Sequence, residues 1–293
     1  MDPPVSVPVF PAIPLGGLRF SLVGPGRVGT SLAAWTAAAG GRLGGTAGRG
    51  EAGGLATAGE DLLLVAVPDP ALPEVAAELG RRPQAAVVLH TSGSQDAAVL
   101  APLREAGSAI GSLHPLKAFP RPLPDPDEAR GVFFAVDGDP AAVALAHRLA
   151  AAWGGTSAEV PPAARPLYHL LASVAAGGVV TLLSAVEELA GRLGLPPAVV
   201  GGYLELARGA VAAAAAAHAA GSPVPAALTG PVARGDRATV VRQLADLQEA
   251  APGRSDFLDL VVRLARETLH QKRRTGEPGE PLQELEGELA RWR

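Results

Sequence analysis

Cysteine and asparagine are missing altogether from the 293 residues. Without cysteine there is no disulfide, no thiolate nucleophile and no cysteine-type zinc site. Lysine is nearly missing too: Lys117 and Lys272 stand against 23 arginines. With alanine, glycine and arginine abundant, this bias fits a GC-rich genome or pressure against labile residues, and composition does not separate the two. An excess of either charge is also missing, with 25 basic and 29 acidic residues and a net of −4. Nothing in this balance argues for a nucleic-acid or anionic-membrane surface. The one basic run, "QKRR" at 271–274, reads as a solvated helix end. "AVAAAAAAHAAG" is too short and too weakly apolar to span a bilayer. The start, "MDPPVSVPVFPAIPLGG", has no basic n-region and no long apolar core, so it does not read as a signal peptide. Its regular prolines suggest an extended arm over 1–17, and a cytoplasmic location is expected.

The hydrophobic content is 48%. This is enough for a sizeable core in one large or two ordinary domains. In the first half, short apolar runs alternate with helical stretches: "LRFSLV" (18–23), "RLGGTA" (42–47), "DLLLVAV" (61–67), "AAVVLH" (85–90), "AIGSL" (109–113), "GVFFAV" (131–136) and "TSAEV" (156–160). "DLLLVAV" is continuously apolar, as a strand buried on both faces should be. After about residue 163 the strand signals stop. "ARPLYHLLASVAAGGVVTLLSAVEELAGRLG" reads as one long helix and further helices follow. The expected fold is α/β: a Rossmann-like, mostly parallel sheet over 18–161, followed by an all-helical domain over 162–293 for substrate binding and dimerisation.

"LRFSLVGPGRVGTSLA" carries Gly24, Gly26 and Gly29 in GxGxxG spacing between a strand and a helix, the context that gives this motif meaning. Gly24 would permit the tight turn, Gly26 the approach of a pyrophosphate, and Gly29 close helix–strand packing. Pro25, Arg27 and Val28 complete the loop, and the helix start offers free N–H groups to phosphate. The bland alternative is a glycine-rich turn. Arg49 lies where dinucleotide enzymes hold the adenosine ribose. A guanidinium there favours a 2′-phosphate, hence NADP(H), while Glu51 keeps NAD(H) open. Val67 and Pro68 end one strand and Thr91 follows the next, so all three should reach the crevice at the strand ends.

"GPGRVGTSLA", "VPD", "LHTSGS", "HPLKAF", "YHLLASVAAGG" and "LTGPVARGD" occur in this order. The set resembles an uncharacterised bacterial family that joins a Rossmann-like NADP-binding domain to a helical domain of unknown function. Its members are described as NADP oxidoreductases with no assigned substrate. The wider group includes 6-phosphogluconate dehydrogenase, pyrroline-5-carboxylate reductase, ketopantoate reductase and prephenate dehydrogenase. The resemblance implies a fold and a cofactor class. Prephenate dehydrogenases place a strand-end serine, an His-Pro pair and a long-helix histidine in an order similar to Ser92, His114 and His169. Here "TSGS" replaces their Ser-x-Lys, and "AAGG" stands where relatives often carry an asparagine.

His114 titrates near neutrality when unperturbed, so it suits general acid–base work; otherwise it orders the turn before Pro115. Ser92 would assist it. Lys117 would hold a carboxylate or polarise a carbonyl, although an exposed loop lysine is the ordinary case. His169, with Tyr168 beside it and Ser173 one turn on, would face the substrate. Thr229, Gly230 and Arg234 would supply a hydroxyl, an N–H and an anion grip from the helical domain. Asp236 reads as a helix N-cap. His90, His147, His218 and His270 read as structural, and no metal site is expected. The expected function is an NADP(H)-dependent oxidoreductase acting on a small carbonyl, hydroxyl or imine substrate bearing a carboxylate, as a homodimer through the helical domain. Two rivals stand: a non-catalytic NADP-binding sensor, and a ketopantoate-type reductase. The second lacks its helical-domain lysine here until Lys272.

Overall fold

The computed structural model describes residues 15–276 and 279–292. Most of the proline arm, 1–14, lies outside them. Of its remainder, Leu15 is fully buried and its N–H donates to the Ala39 carbonyl.

The first unit alternates strands and helices as the apolar pattern requires. Its elements are β1 (Arg19–Val23), α1 (Arg27–Ala38), β2 (Arg42–Ala47), β3 (Leu62–Val65), α2 (Leu72–Leu79), β4 (Val87–His90), α3 (Ala101–Glu105), β5 (Ala109–Pro115), β6 (Phe133–Gly138), α4 (Pro140–Ala152), β7 (Thr156–Glu159) and α5 (Arg165–Ser173). Seven strands form one sheet in the order β2-β1-β3-β4-β5-β6-β7. All neighbours are parallel except β5 and β6.

Alternation along β3 explains why it is apolar throughout. Leu62 and Leu64 enter one core with Phe20, Leu89, Trp35 and Trp153. Leu63 and Val65 enter the opposite core with Val75, Leu79, Leu103 and Ile110. Successive side chains of a strand point to opposite faces, so a central strand covered by helices on both sides has no polar position to spare.

The second unit begins at Gly177. It holds α6 (Val179–Arg192), α7 (Pro197–Ala219), α8 (Pro231–Arg234), α9 (Arg237–Ala250), α10 (Ser255–Arg274) and α11 (Glu280–Leu289). Its core is built from i, i+3, i+7 stripes: Val262, Ala265 and Leu269 on α10, and Leu282, Leu285 and Leu289 on α11.

The expected single long helix runs without a break, as α5, a π turn over Val174–Gly178 and α6. Two expectations change. The compact units divide inside that turn, at Ala176/Gly177, rather than at 161/162. The reason is that α5 is bonded into the first unit through Arg165. Lys272, read as part of a solvated helix end, is buried.

By length and composition alone, Pro162–Arg192 and Pro197–Ala219 are long and apolar enough to cross a membrane. The apolar windows extend well beyond the alanine run that the sequence reading weighed.

Candidate active site

The glycine loop shows why each glycine is a glycine. Gly24 has φ +90°, and a side chain there would come within 2.5 Å of the Ala66 carbonyl oxygen. Gly29 is buried in α1, and a Cβ would run into the Gly24 carbonyl. Gly26 differs, because a Cβ would meet nothing within 4 Å. It faces open space, and as N-cap it leaves the first N–H groups of α1 without a side-chain partner. Backbone donors, the positive end of a helix and room for an approaching group fit a dinucleotide pyrophosphate.

In front of the loop lies a crevice of about 610 Å³. Gly26, Arg27, Val28, Val67, Pro68 and Thr91 line it, with Asp69, Ser92 and Gly93. Gly24, Pro25 and Gly29 shape the loop behind. Arg49 is exposed two residues beyond β2 and is not among the lining residues. Glu51 folds back, and its carboxylate accepts the Gly48 N–H at 3.3 Å.

His114 ends β5. Its Nδ1 lies 2.9 Å from the Tyr168 hydroxyl, and its ring meets those of Tyr168 and His169 edge-on at 5.6 and 5.7 Å. Gly93 closes the other side. A methyl there would come within 2.7 Å of His114 Nε2 and would strike His169 Nδ1. That His169 atom is buried and has no hydrogen-bond partner. Burial pushes His114 down to about 4, helped by the His169 and Arg165 charges. Burial also pushes the Tyr168 phenol up to about 12. At neutral pH the imidazole is therefore uncharged and the phenol keeps its proton.

A second cavity, of about 550 Å³, is lined by residues 114–118, Tyr168, His169, Leu171, Ala172, Ser173, Ala175 and Ala176. His114 and His169 line both spaces, so the two imidazoles form their common wall. Both cavities are lined by first-unit residues alone.

The geometry of this wall rests on Arg165, which the sequence reading missed. Its side chain is fully buried, and Nη2 donates to Asp137 Oδ1 at 2.5 Å and also to Ser112 Oγ. Asp137 also accepts the Ala97 N–H at 2.9 Å. This pins the first turn of α5 to β5 and β6. Tyr168 and His169, three and four residues on, then lie over the same face as Arg165. A signal existed. Arg165 is the sole charged residue between Glu159 and Glu187. A lone charge in so long an apolar stretch needs a buried partner.

The remaining expected residues fall as follows. Ser92 Oγ accepts N–H groups from Ser94 and Gln95 at 3.2 and 3.1 Å, so it orders its own loop and makes no hydrogen bond to His114. His90, read as structural, takes the Ser92 N–H on Nδ1 and contacts the Asp96 carbonyl through Nε2. Burial lowers it to about 4. Lys117 pairs with Glu128 at 3.0 Å. The Ser173 hydroxyl donates to the His169 carbonyl. Thr229, Gly230 and Arg234 belong to the second unit. There Gly230, at φ +93°, starts α8, and Arg234 is exposed at its end. Asp236 caps α9 by accepting the Thr239 N–H. Among the described residues no group of three or more acidic, histidine or cysteine side chains is placed to hold a metal.

Comparison with known proteins agrees with this architecture. A Rossmann-like domain model matches residues 10–115, and a domain of unknown function, DUF2520, matches 132–268. Protein TM1727 from Thermotoga maritima superposes with a TM-score of 0.65 at 24% identity, over 87% of this chain and 99% of its own. A Bacteroides fragilis protein provisionally described as an NADP oxidoreductase gives 0.65 at 18%, over 86% and 97%. Plasmodium falciparum pyrroline carboxylate reductase, solved with NADP bound, gives 0.55 at 15%, over 89% and 99%. No curated protein matches significantly. At these identities the structural likeness speaks for the fold. The two matched models follow one another along the chain, Rossmann-like first and DUF2520 second, which is the order that its motifs resembled.

Proposed function

We propose that the chain is an NADP(H)-dependent oxidoreductase acting on a small carbonyl or imine and the corresponding alcohol or amine. The carrying observation is the pair of imidazoles that borders both the glycine-loop crevice and the second cavity. A nicotinamide dinucleotide, when bound, supplies or takes up the hydride. The protein's own task is to place the partner molecule and move one proton. His114 is built for the second task. In the reducing direction, the substrate oxygen or nitrogen gains the proton of Nε2 while Nδ1 takes up the phenol proton of Tyr168, and water returns a proton to the phenolate oxygen. In the oxidising direction all three transfers reverse. Tyr168 and His114 are already in contact at 2.9 Å, so the relay needs no rearrangement.

Arg49 supports the choice of NADP(H) over NAD(H). It is exposed beside the end of β2, where the ribose is expected, while the carboxylate of Glu51 is taken up by Gly48. The carboxylate expected on the substrate has weaker support, because Lys117 already pairs with Glu128. A second copy covering the apolar helices of the second unit, and a cytoplasmic site of action, belong to the same reading.

The alternative is a sensor that binds NADP without turnover. It is favoured by the Ser92 hydroxyl, which serves its own loop rather than His114.

Calorimetric titration with NADPH and NADH tests the reading. NADPH should bind more tightly, and Arg49→Ala should weaken NADPH by roughly ten- to a hundredfold, the loss of one charge-assisted contact, with little effect on NADH. His114→Ala should keep that affinity and lose turnover in a catalyst. In a sensor there is no turnover to lose. If neither cofactor binds, the oxidoreductase reading falls.

A further inference from the structure

In "TSGS", after β4, a glycine stands at 93 between two serines. Gly93 is outside the left-handed region that calls for glycine at Gly24, so its backbone would accept other residues. Space is what excludes them. A Cβ here would strike His169 Nδ1 and would come within 2.7 and 2.9 Å of His114 Nε2 and Cε1. The Gly93 backbone therefore lies against both imidazoles at once, in the crevice that all three residues line.

The loop that carries Gly93 is braced. The Thr91 N–H donates to the Val65 carbonyl at 3.2 Å, and the Ser92 N–H to His90 Nδ1 at 3.1 Å. The Ser92 hydroxyl oxygen accepts the N–H groups of Ser94 and Gln95. The Ser94 hydroxyl donates to the Asp69 carboxylate at 2.5 Å. The two rings are held on their other sides as well. His114 belongs to β5 and pairs with Ala135 of β6, and its Nδ1 is 2.9 Å from the Tyr168 hydroxyl. His169 is on α5, whose first turn is tied to Asp137 by Arg165. Strand, helix and loop thus converge on the two imidazoles, and the loop meets them with a residue that has no side chain.

We propose that Gly93 is a positioning residue: loop 91–95 is a fixed stop, and the close approach of its one glycine holds His114 on Tyr168 with His169 beside it. Ser92 and Ser94 act through this stop. Support of this kind is what keeps a site within about 0.5 Å of its working geometry. The use of the rings for proton transfer rests on the oxidoreductase reading; their placement does not.

NMR of the full-length protein with isotopically labelled histidine rings, without cofactor, tests this. Burial holds His114 at about 4. Gly93→Ala should displace the ring from Tyr168 and raise its titration by roughly one unit or more toward the ordinary value, and the His169 signals should move with it. His147, His218 and His270, on α4, α7 and α10, should keep theirs. His114 also feels the charges of His169, Arg165, Asp69 and His90. The second variant is therefore Ser94→Ala, which frees the loop from Asp69, leaves every charge in place and adds no atom. It should move the same two rings in the same direction, by less. If Gly93→Ala does not fold, Ser94→Ala decides alone. Unmoved His114 and His169 signals would overturn the proposal. So would equal shifts of all six histidines, the mark of a general loss of packing. Titration of the unaltered protein with NADPH separates the two readings. If the rings respond to the substitutions but NADPH does not bind, the role of Gly93 stands and the oxidoreductase reading falls. If NADPH binds and the rings do not respond, the reverse holds.

Discussion

The Asp137 carboxylate is 5% exposed and faces Ser112, the Ala97 N–H and Arg165. Replacing Arg165 by methionine keeps much of the side-chain volume and leaves that carboxylate buried without its cation. The expected loss is about 3–5 kcal/mol, and adding Asp137→Asn should restore part of it, since the uncompensated charge is what hurts. Urea unfolding of the single and double variants measures both. A pH effect follows from the histidines. Burial holds His90 and His114 near 4 in the folded chain, against roughly 6.5 unfolded. Between those values the unfolded chain binds protons that the folded one refuses. Stability therefore rises with pH through this window. The histidine contribution is complete above the unfolded value and is lost as pH falls toward 4. Each group adds a slope of about 1.4 kcal/mol per pH unit where the two states differ by a full proton. The urea midpoint should drop between pH 7 and pH 5, and His90→Gln should make that drop smaller. An unchanged drop in the variant would refute the assignment.

At the scale of elements, the turn from β1 into α1 separates folding from binding. Gly29→Ala forces a methyl against the Gly24 carbonyl and within 3.1 Å of Ala66 and Leu22. Overpacking of this kind costs about 1–3 kcal/mol. Gly26→Ala meets nothing in the protein, so the fold should hold while affinity for NADPH falls by roughly tenfold or more as the methyl enters the phosphate space. Thermal unfolding and cofactor titration of both variants check this, and equal thermal losses would contradict it. The same turn was the most legible part of the sequence. Its glycine spacing, the strand before it and the helix after it all point one way. The buried strands were legible because β3 is apolar at every position and β4 at all but its last, His90. The π turn was not, because alanine and glycine over Val174–Gly178 carry no mark of an extra residue per turn. Ser92 was legible as a strand-end serine, but not as one whose oxygen serves its own loop. That depends on which N–H groups come near it, which spacing does not encode.

At the scale of the whole molecule, the second unit leaves much apolar surface in water. Val180 is 63% exposed, Leu206 71% and Val211 59%. Patches of this kind mark interaction surfaces. The membrane alternative suits the first candidate stretch poorly, because its early turns carry Arg165, bonded to Asp137 within the sheet unit. A second copy of the chain on α6 and α7 is the expected cover. Light scattering at micromolar concentration should find a dimer, and Leu206→Arg should give a folded monomer. A monomeric unaltered protein would rule this out. The sequence indicated a helical second half with apolar faces, but not which faces stay bare, since alanine suits an exposed helix as well as a buried one. The placing of the three tryptophans has a further use. Trp35 and Trp153 lie in one core of the sheet unit with ring centroids 6.0 Å apart, whereas Trp292 packs against the core of the helical unit. The chain thus carries a separate fluorophore for each unit. In a Trp292→Phe protein, intrinsic emission should follow the Rossmann-like unit alone. Replacing Trp35 and Trp153 instead should make the same light report only on the helices.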